Sequence, residues 1–229
     1  MCFLGLLTLA SQGTAATCVA SMAGYMAGLS RKHEHELATV PADQLIRTVG
    51  AVDDLPFGAT YCIAKRVNQL RVEQAATAWG QKGARVLSIS PGVISTPMSR
   101  KEIEQGAGDA MQQQLDLSPI HRMGTADDIA AAVEFLASPA ASSITGCDLR
   151  VDGGVTAAVF GLGLGLGLET PKFSVPVPHR YRVQPLGLGG NWVDGPQMED
   201  GRRVTKGLLS ATGCIVRQPP SRTIVRFLP

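Results

Sequence analysis

In the stretch GATYCIAKRVNQL, residues 58–70, a tyrosine and a lysine stand four positions apart near the start of a helical pattern. A phenol has a pKa of about 10 and exchanges protons poorly at neutral pH unless its anion is stabilised. A fixed ammonium does this. Residues i and i+4 share a helix face, so Lys65 can hold its charge near the Tyr61 oxygen or near a ligand touching that oxygen. Alone the pattern is weak, because an exposed lysine beside a half-buried tyrosine recurs on many amphipathic helices. Ser21 adds to it. It ends TAATCVAS, which reads as a short buried strand, and ligands of an open parallel sheet bind at the carboxyl ends of its strands. A serine hydroxyl there can hydrogen-bond a substrate oxygen as charge develops on it, or it can merely cap the strand. After the next strand comes SPGVISTPM. Gly92 permits close backbone approach and Thr96 offers a hydroxyl, the plainer alternative being a Pro-Gly turn.

These residues need elements to position them. Residues 60–79 carry Ile63, Val67, Leu70 and Ala78 near the helical period, and GQKG ends the run. ARVLSIS reads as a strand, KEIEQGAGDAMQQQLD as a looser helix, and ITGCDLRVDGG as a last strand. GTADDIAAAVEFLASP has a start signal, Thr125 as N-cap with acidic residues in the first turn, and a stop at Ser138-Pro139. The order strand, helix, strand, helix, strand predicts an α/β fold: right-handed crossovers and a parallel sheet with helices on its faces. Only three strands are visible, which would leave an apolar sheet edge uncovered. The polar stretch 30–56 is too long for a turn and is expected to be an insertion of one or two short helices, of the kind that serves as a lid or binding loop.

The bulk properties narrow the class. The 229 residues are 45% hydrophobic, enough for a folded body. Through Gly154 there are 12 Lys and Arg against 15 Asp and Glu, and from Val155 onward 9 against 4. The chain changes character there, but neither balance points to a nucleic-acid partner. Five scattered cysteines without a C-x-x-C suggest neither a disulfide framework nor a metal site, and read as thiols of a cytoplasmic protein. MCFLGLLTLA resembles a signal peptide but has no Lys or Arg in its leading region. No uninterrupted apolar run reaches the roughly 18 residues of a membrane span, so no membrane partner is expected. Residues 157–229, with the repeat GLGLGLGL and scattered prolines, read as a low-complexity, poorly ordered tail. The repeat fits neither phosphate-loop pattern.

Taken together, Ser21, the Tyr61-Cys62-Ile63-Ala64-Lys65 motif, the Pro91-Gly92-Val93-Ile94-Ser95-Thr96 segment, GTADDIAAAVEFLASPAASSITG and the closing VDGG at 151–154 resemble the classical short-chain dehydrogenase/reductase family. The resemblance covers residues 3–156. It implies a Rossmann-type fold that uses NAD or NADP to interconvert a small-molecule alcohol and ketone. Carried over by position, Tyr61 would be the general acid/base, and Lys65 would lower its pKa and hold the nicotinamide ribose. Ser21 would orient the carbonyl, and Pro91, Gly92, Val93 and Thr96 would contact the nicotinamide end. The 40-residue gap from Ser21 to Tyr61, with an insertion at about 24–57, and the ending ATAWG are similar to the bacterial 3α-hydroxysteroid dehydrogenase/carbonyl reductase subgroup. A steroid or other bulky carbonyl substrate is therefore implied.

Several family features have no counterpart. The glycine-rich turn T-G-x-x-x-G-x-G, the ribose selector, the N-A-G segment and the family's catalytic asparagine do not occur. Residues 1–156 are accordingly expected to be the carboxyl-terminal, catalytic half of a doubly wound parallel sheet, amino-terminally truncated. Its cofactor binding would be weak, because backbone N–H groups for the pyrophosphate are missing. The alternative is a non-catalytic fragment that associates with full-length relatives through the helix at 61–79, a face the family uses for oligomers.

Overall fold

The computed structural model describes residues 7–49, 57–160, 213–218 and 222–227. The leading six residues, with the signal-peptide reading, and most of the tail lie outside them. A 3-10 turn, Leu7–Leu9, leads into β1, Ala15–Val19. A second 3-10 turn, Met22–Met26, follows at once. The insertion then folds as α1, Arg31–Thr39, and α2, Leu45–Val49. The long helix α3, Phe57–Gly80, precedes β2, Arg85–Pro91. Next come α4, Pro97–Glu102, a π turn at Ile103–Ala107, α5, Gly108–Leu117, and α6, Ala126–Ala137. Strand β3, Asp148–Val151, and α7, Val155–Phe160, close the continuous part.

β1, β2 and β3 are parallel, with β2 in the middle. This is the mixed α/β, Rossmann-type architecture that the order of elements predicts. Strand alternation sends Ala16, Cys18 and Val86 into one cluster with Val72 and Trp79 of α3. Leu87 and Ile89 alternate to the other face and are fully buried. There α6 packs on β1 and β3 and buries Val133 and Leu136. The start of α6 is the one the sequence indicates. Thr125 and Asp128 form a reciprocal capping box, which satisfies two backbone donors at the helix start.

Two expectations change. The insertion forms the two short helices expected, and they cover part of the α3 face on which association was expected. Its Leu37 and Val49 pack on Ile63 and Val67 of α3, Glu34 pairs with Arg66 at 2.7 Å, and Arg71 donates to the carbonyls of Leu37 and Val40. The face of α3 around Val67 is thereby covered by the chain itself. Trp79 is buried too, which leaves Glu73, Gln74, Thr77 and Gly80 as the exposed positions of the helix's second half.

The second change concerns the sheet edge. Within the tail, β4, Gly213–Gln218, and β5, Arg222–Phe227, form an antiparallel hairpin. β4 runs antiparallel along β1, pairing Ala15 with Arg217 through Val19 with Gly213. Among the described residues the sheet therefore has five strands in the order β3-β2-β1-β4-β5, and the edge of β1 expected to be open is paired. These twelve residues of the tail pair as strands, and most of the rest of it lies outside the described residues.

Candidate functional site

The carboxyl ends of β1, β2 and β3 converge, and the sequence-predicted residues sit at or just past them. Ser21 follows β1 by two residues and caps the 3-10 turn, its Oγ accepting from the Ala23 N–H at 3.2 Å. Tyr61 and Lys65 lie in the second and third turns of α3. Tyr61 is 40% exposed, and Lys65 is buried. The Lys65 ammonium lies 5.6 Å from the centre of the Tyr61 ring and donates to the Val19 carbonyl at 3.4 Å. Ser21 and Tyr61, 40 positions apart, are near enough that the Ser21 side chain acts on the Tyr61 phenol.

Burial raises the Tyr61 phenol above its usual value. The Ser21 side chain works against this, and the charges of Glu102 and Cys62 work with it. Burial lowers the Lys65 ammonium, with an opposing contribution from Cys18. The resemblance implies a phenol lowered by Lys65, and the balance in this structure runs the other way. The desolvation of both groups is the reason.

Pro91 ends β2, and Gly92, Val93 and Thr96 follow it. This segment is clamped on both sides. The Gly92 N–H donates to the Val151 carbonyl at 3.1 Å, and Val93 and Ser95 exchange hydrogen bonds with Gly124 at 2.9 Å each. Any side chain at Gly92 would meet Asp152 Cα at 2.7 Å, so only glycine fits between the strand ends. The Thr96 hydroxyl accepts from the Ser99 N–H at 3.2 Å in a capping box for α4. It therefore has a structural task besides the one expected of it. A cleft lined by Gly92, Val93, Ser118, Ile120, Asp152 and Gly153 adjoins the segment, and its lining does not include Ser21, Tyr61 or Lys65.

A sequence profile of a family described as enoyl-(acyl carrier protein) reductase matches residues 12–156. The chain belongs to the short-chain dehydrogenase/reductase family. It is 34% identical over 150 residues to the short-chain dehydrogenase/reductase bsc3 of Alternaria brassicicola, covering 63% of this chain and 55% of that protein. It is 39% identical over 100 residues to a galactitol 2-dehydrogenase (L-tagatose-forming) of Cereibacter sphaeroides, covering 44% and 39%. Among solved structures, the 3-alpha-hydroxysteroid dehydrogenase of Pseudomonas sp. B-0831 complexed with NADH superposes with a TM-score of 0.59 at 25% identity. That match covers 69% of this chain and 63% of the other. The chain thus spans about half the length of the curated relatives it matches.

Within this dehydrogenase-family site, sequence reasoning missed Gln69. It lies two turns along α3 from Tyr61, and its side chain is fully buried. Its Nε2 donates to the Ser21 carbonyl at 3.2 Å and to the Ser90 hydroxyl at 2.9 Å, and its Oε1 accepts from Arg66 at 3.1 Å. One amide thus ties the ends of β1 and β2 to α3. Its one trace in the sequence is the spacing of four from Lys65, which shares a helix face with it, and that spacing alone does not tell a buried glutamine from an exposed one. Tyr25 is a second brace. Its hydroxyl donates to Asp148 at 2.8 Å and fastens the turn after Ser21 to β3. Burial and the Asp148 carboxylate both raise its phenol.

Proposed function

We propose that the chain is the catalytic portion of an NAD(P)-dependent oxidoreductase that interconverts an alcohol and a ketone. The observation that carries this reading is the buried Lys65 ammonium, held 5.6 Å from the centre of the Tyr61 ring and donating to the Val19 carbonyl two residues before Ser21. In carbonyl reduction the Ser21 hydroxyl donates a hydrogen bond to the substrate oxygen and fixes its position, while Tyr61 delivers the proton to that oxygen. In alcohol oxidation Tyr61 takes the proton back. Lys65 keeps a positive charge close to the phenol ring and steadies the phenolate that each proton transfer leaves.

The donor set fits the nicotinamide end of a dinucleotide. The Lys65 ammonium and Tyr61 hydroxyl suit a ribose, and the clamped segment of Pro91, Gly92, Val93 and Thr96 suits the nicotinamide. The group supplies or accepts a hydride when bound. Among the described residues no glycine-rich turn between a strand and a helix N-terminus offers N–H groups to a pyrophosphate, so binding by these residues alone is expected to be weak. A steroid or similarly bulky carbonyl compound is the substrate class favoured. The support is the likeness to the 3-alpha-hydroxysteroid dehydrogenase together with the two-helix insertion.

The half-length match to the relatives favours a second reading, a non-catalytic piece that associates with full-length relatives. Association through the second half of α3 would use Glu73, Gln74, Thr77 and Gly80, because the insertion covers Ile63 and Val67.

One experiment separates the two readings. Nicotinamide fluorescence is titrated with the protein, and turnover of a steroid ketone panel is followed with the wild type and Tyr61→Phe. Weak cofactor binding equal in both proteins, with turnover only in the wild type, supports the enzyme. Turnover retained by Tyr61→Phe removes Tyr61 from its role, and no turnover by either protein supports the second reading.

A further inference from the structure

The ladder between β1 and β4 places two cysteines opposite each other. Cys18 and Cys214 are register partners. Direct partners in an antiparallel pair have Cα atoms about 4.5–5.5 Å apart. A disulfide needs a Cα separation of roughly 4.4–6.8 Å. No other cysteine of the described strands has a cysteine partner in the ladder, since Cys62 belongs to α3 and Cys147 precedes β3. The location also matters. Cys18 lies three residues before Ser21, and Val19, whose carbonyl receives the Lys65 ammonium, pairs with Gly213. The hairpin thus ends beside the candidate dyad.

We infer that Cys18 and Cys214 form a cross-strand disulfide under oxidising conditions, a covalent latch that holds the β4–β5 hairpin on the β1 edge. The oxidant is a disulfide such as oxidised glutathione. The Cys214 thiolate attacks one of its sulfurs, forms a mixed disulfide and releases one glutathione. Cys18 then displaces the second glutathione and closes the protein disulfide. Two protein thiols are oxidised, one glutathione disulfide is reduced, and the two thiol protons end on the two glutathione thiols. Cys18 is fully buried while the hairpin is docked, so capture begins at Cys214 during local opening of the edge, and redocking brings the partners together.

The test uses the full chain equilibrated with glutathione buffers from reducing to oxidising, then alkylated, digested without reduction and mapped by mass. The expected result is a monomer with a joined Cys18–Cys214 peptide pair and two of its five thiols lost. In Cys214→Ser no thiol pair is lost at the same ratios. The oxidised wild type is expected to unfold several degrees above its reduced form, because the bond closes a loop of about 200 residues, and Cys214→Ser is expected to show no such rise. Absence of the Cys18–Cys214 pair at every ratio overturns the latch, as does Cys214 joined only to another cysteine or another chain. A bonded protein that melts no higher than the reduced one overturns its holding role.

Discussion

At the scale of single residues, the candidate dyad depends on an amide that does no chemistry. Gln69 joins the Ser21 carbonyl to Ser90, and Gly24 lies so close that an added Cβ would sit 2.8 Å from the Gln69 side-chain nitrogen. No such contact distance is tolerated, so one group must move. Gly24→Ala is therefore expected to cost about 1–3 kcal/mol of stability by overpacking. Gln69→Ala is expected to cost about 2 kcal/mol through the donors and acceptors it leaves buried. Because both act through one amide, the double variant should lose less than the sum, since the shortened side chain makes room for the new methyl. Urea unfolding of the three variants checks this, and simple additivity would show that the two residues do not share a mechanism. The positions of Ser21, Tyr61 and Lys65 were legible because their chemistry is unusual for their surroundings. Gln69 was not, because a glutamine on a helix ordinarily faces water and its burial depends on two strand ends that only the fold assembles.

At the scale of elements, caps carry much of the geometry. Asp152 follows β3 and starts α7, its two carboxylate oxygens accepting from the N–H groups of Gly154 and Thr156 at 2.9 Å each. Burial acts to raise this carboxyl, but the hydrogen bonds from Thr156 and Gly154 outweigh it and hold it below its ordinary value. A group depressed on folding stabilises the protein above its unfolded pKa, and that contribution disappears as pH falls through the folded value. Asp152→Asn leaves one acceptor oxygen without charge, so it is expected to cost about 1 kcal/mol near neutral pH. The gap between wild type and variant should then close as pH falls below about 4, where the aspartate itself becomes neutral. Urea unfolding across that range tests it, and a gap that widens in acid would reverse the assignment. The Thr125 cap was readable because a capping box is local in sequence. The packing of the insertion was not, because Leu37 and Val49 meet Ile63 and Val67 across dozens of residues, and a charged stretch around them hides the pairing.

At the scale of the whole molecule, the sheet is completed by residues far from the family-matched region. Three strands could be read as a parallel core, whereas the hairpin could not be placed, because strand pairing across nearly 200 residues leaves no local trace. Its own signal was present in the β-branched pairs Ile215-Val216 and Ile224-Val225 on either side of Pro219-Pro220. β4 has β1 on one side and β5 on the other, so every backbone N–H along it faces a partner strand. Proline lacks that donor and is tolerated in sheets only at edges and bulges. Val216→Pro removes a ladder hydrogen bond and is therefore expected to cost about 1–3 kcal/mol at the hairpin. The consequence reaches β1, whose Ala15, Ala16, Thr17 and Cys18 are buried and would regain an open, apolar edge. Open edges of this kind pair with other chains. The variant should accordingly show a lower thermal midpoint and concentration-dependent light scattering. A conservative Val216→Ile change, which keeps the donor and the β-branched shape, should leave both unchanged. If Val216→Pro stays monomeric with an unaltered midpoint, β4 does not complete the sheet in solution, and the β1 edge must be protected in some other way.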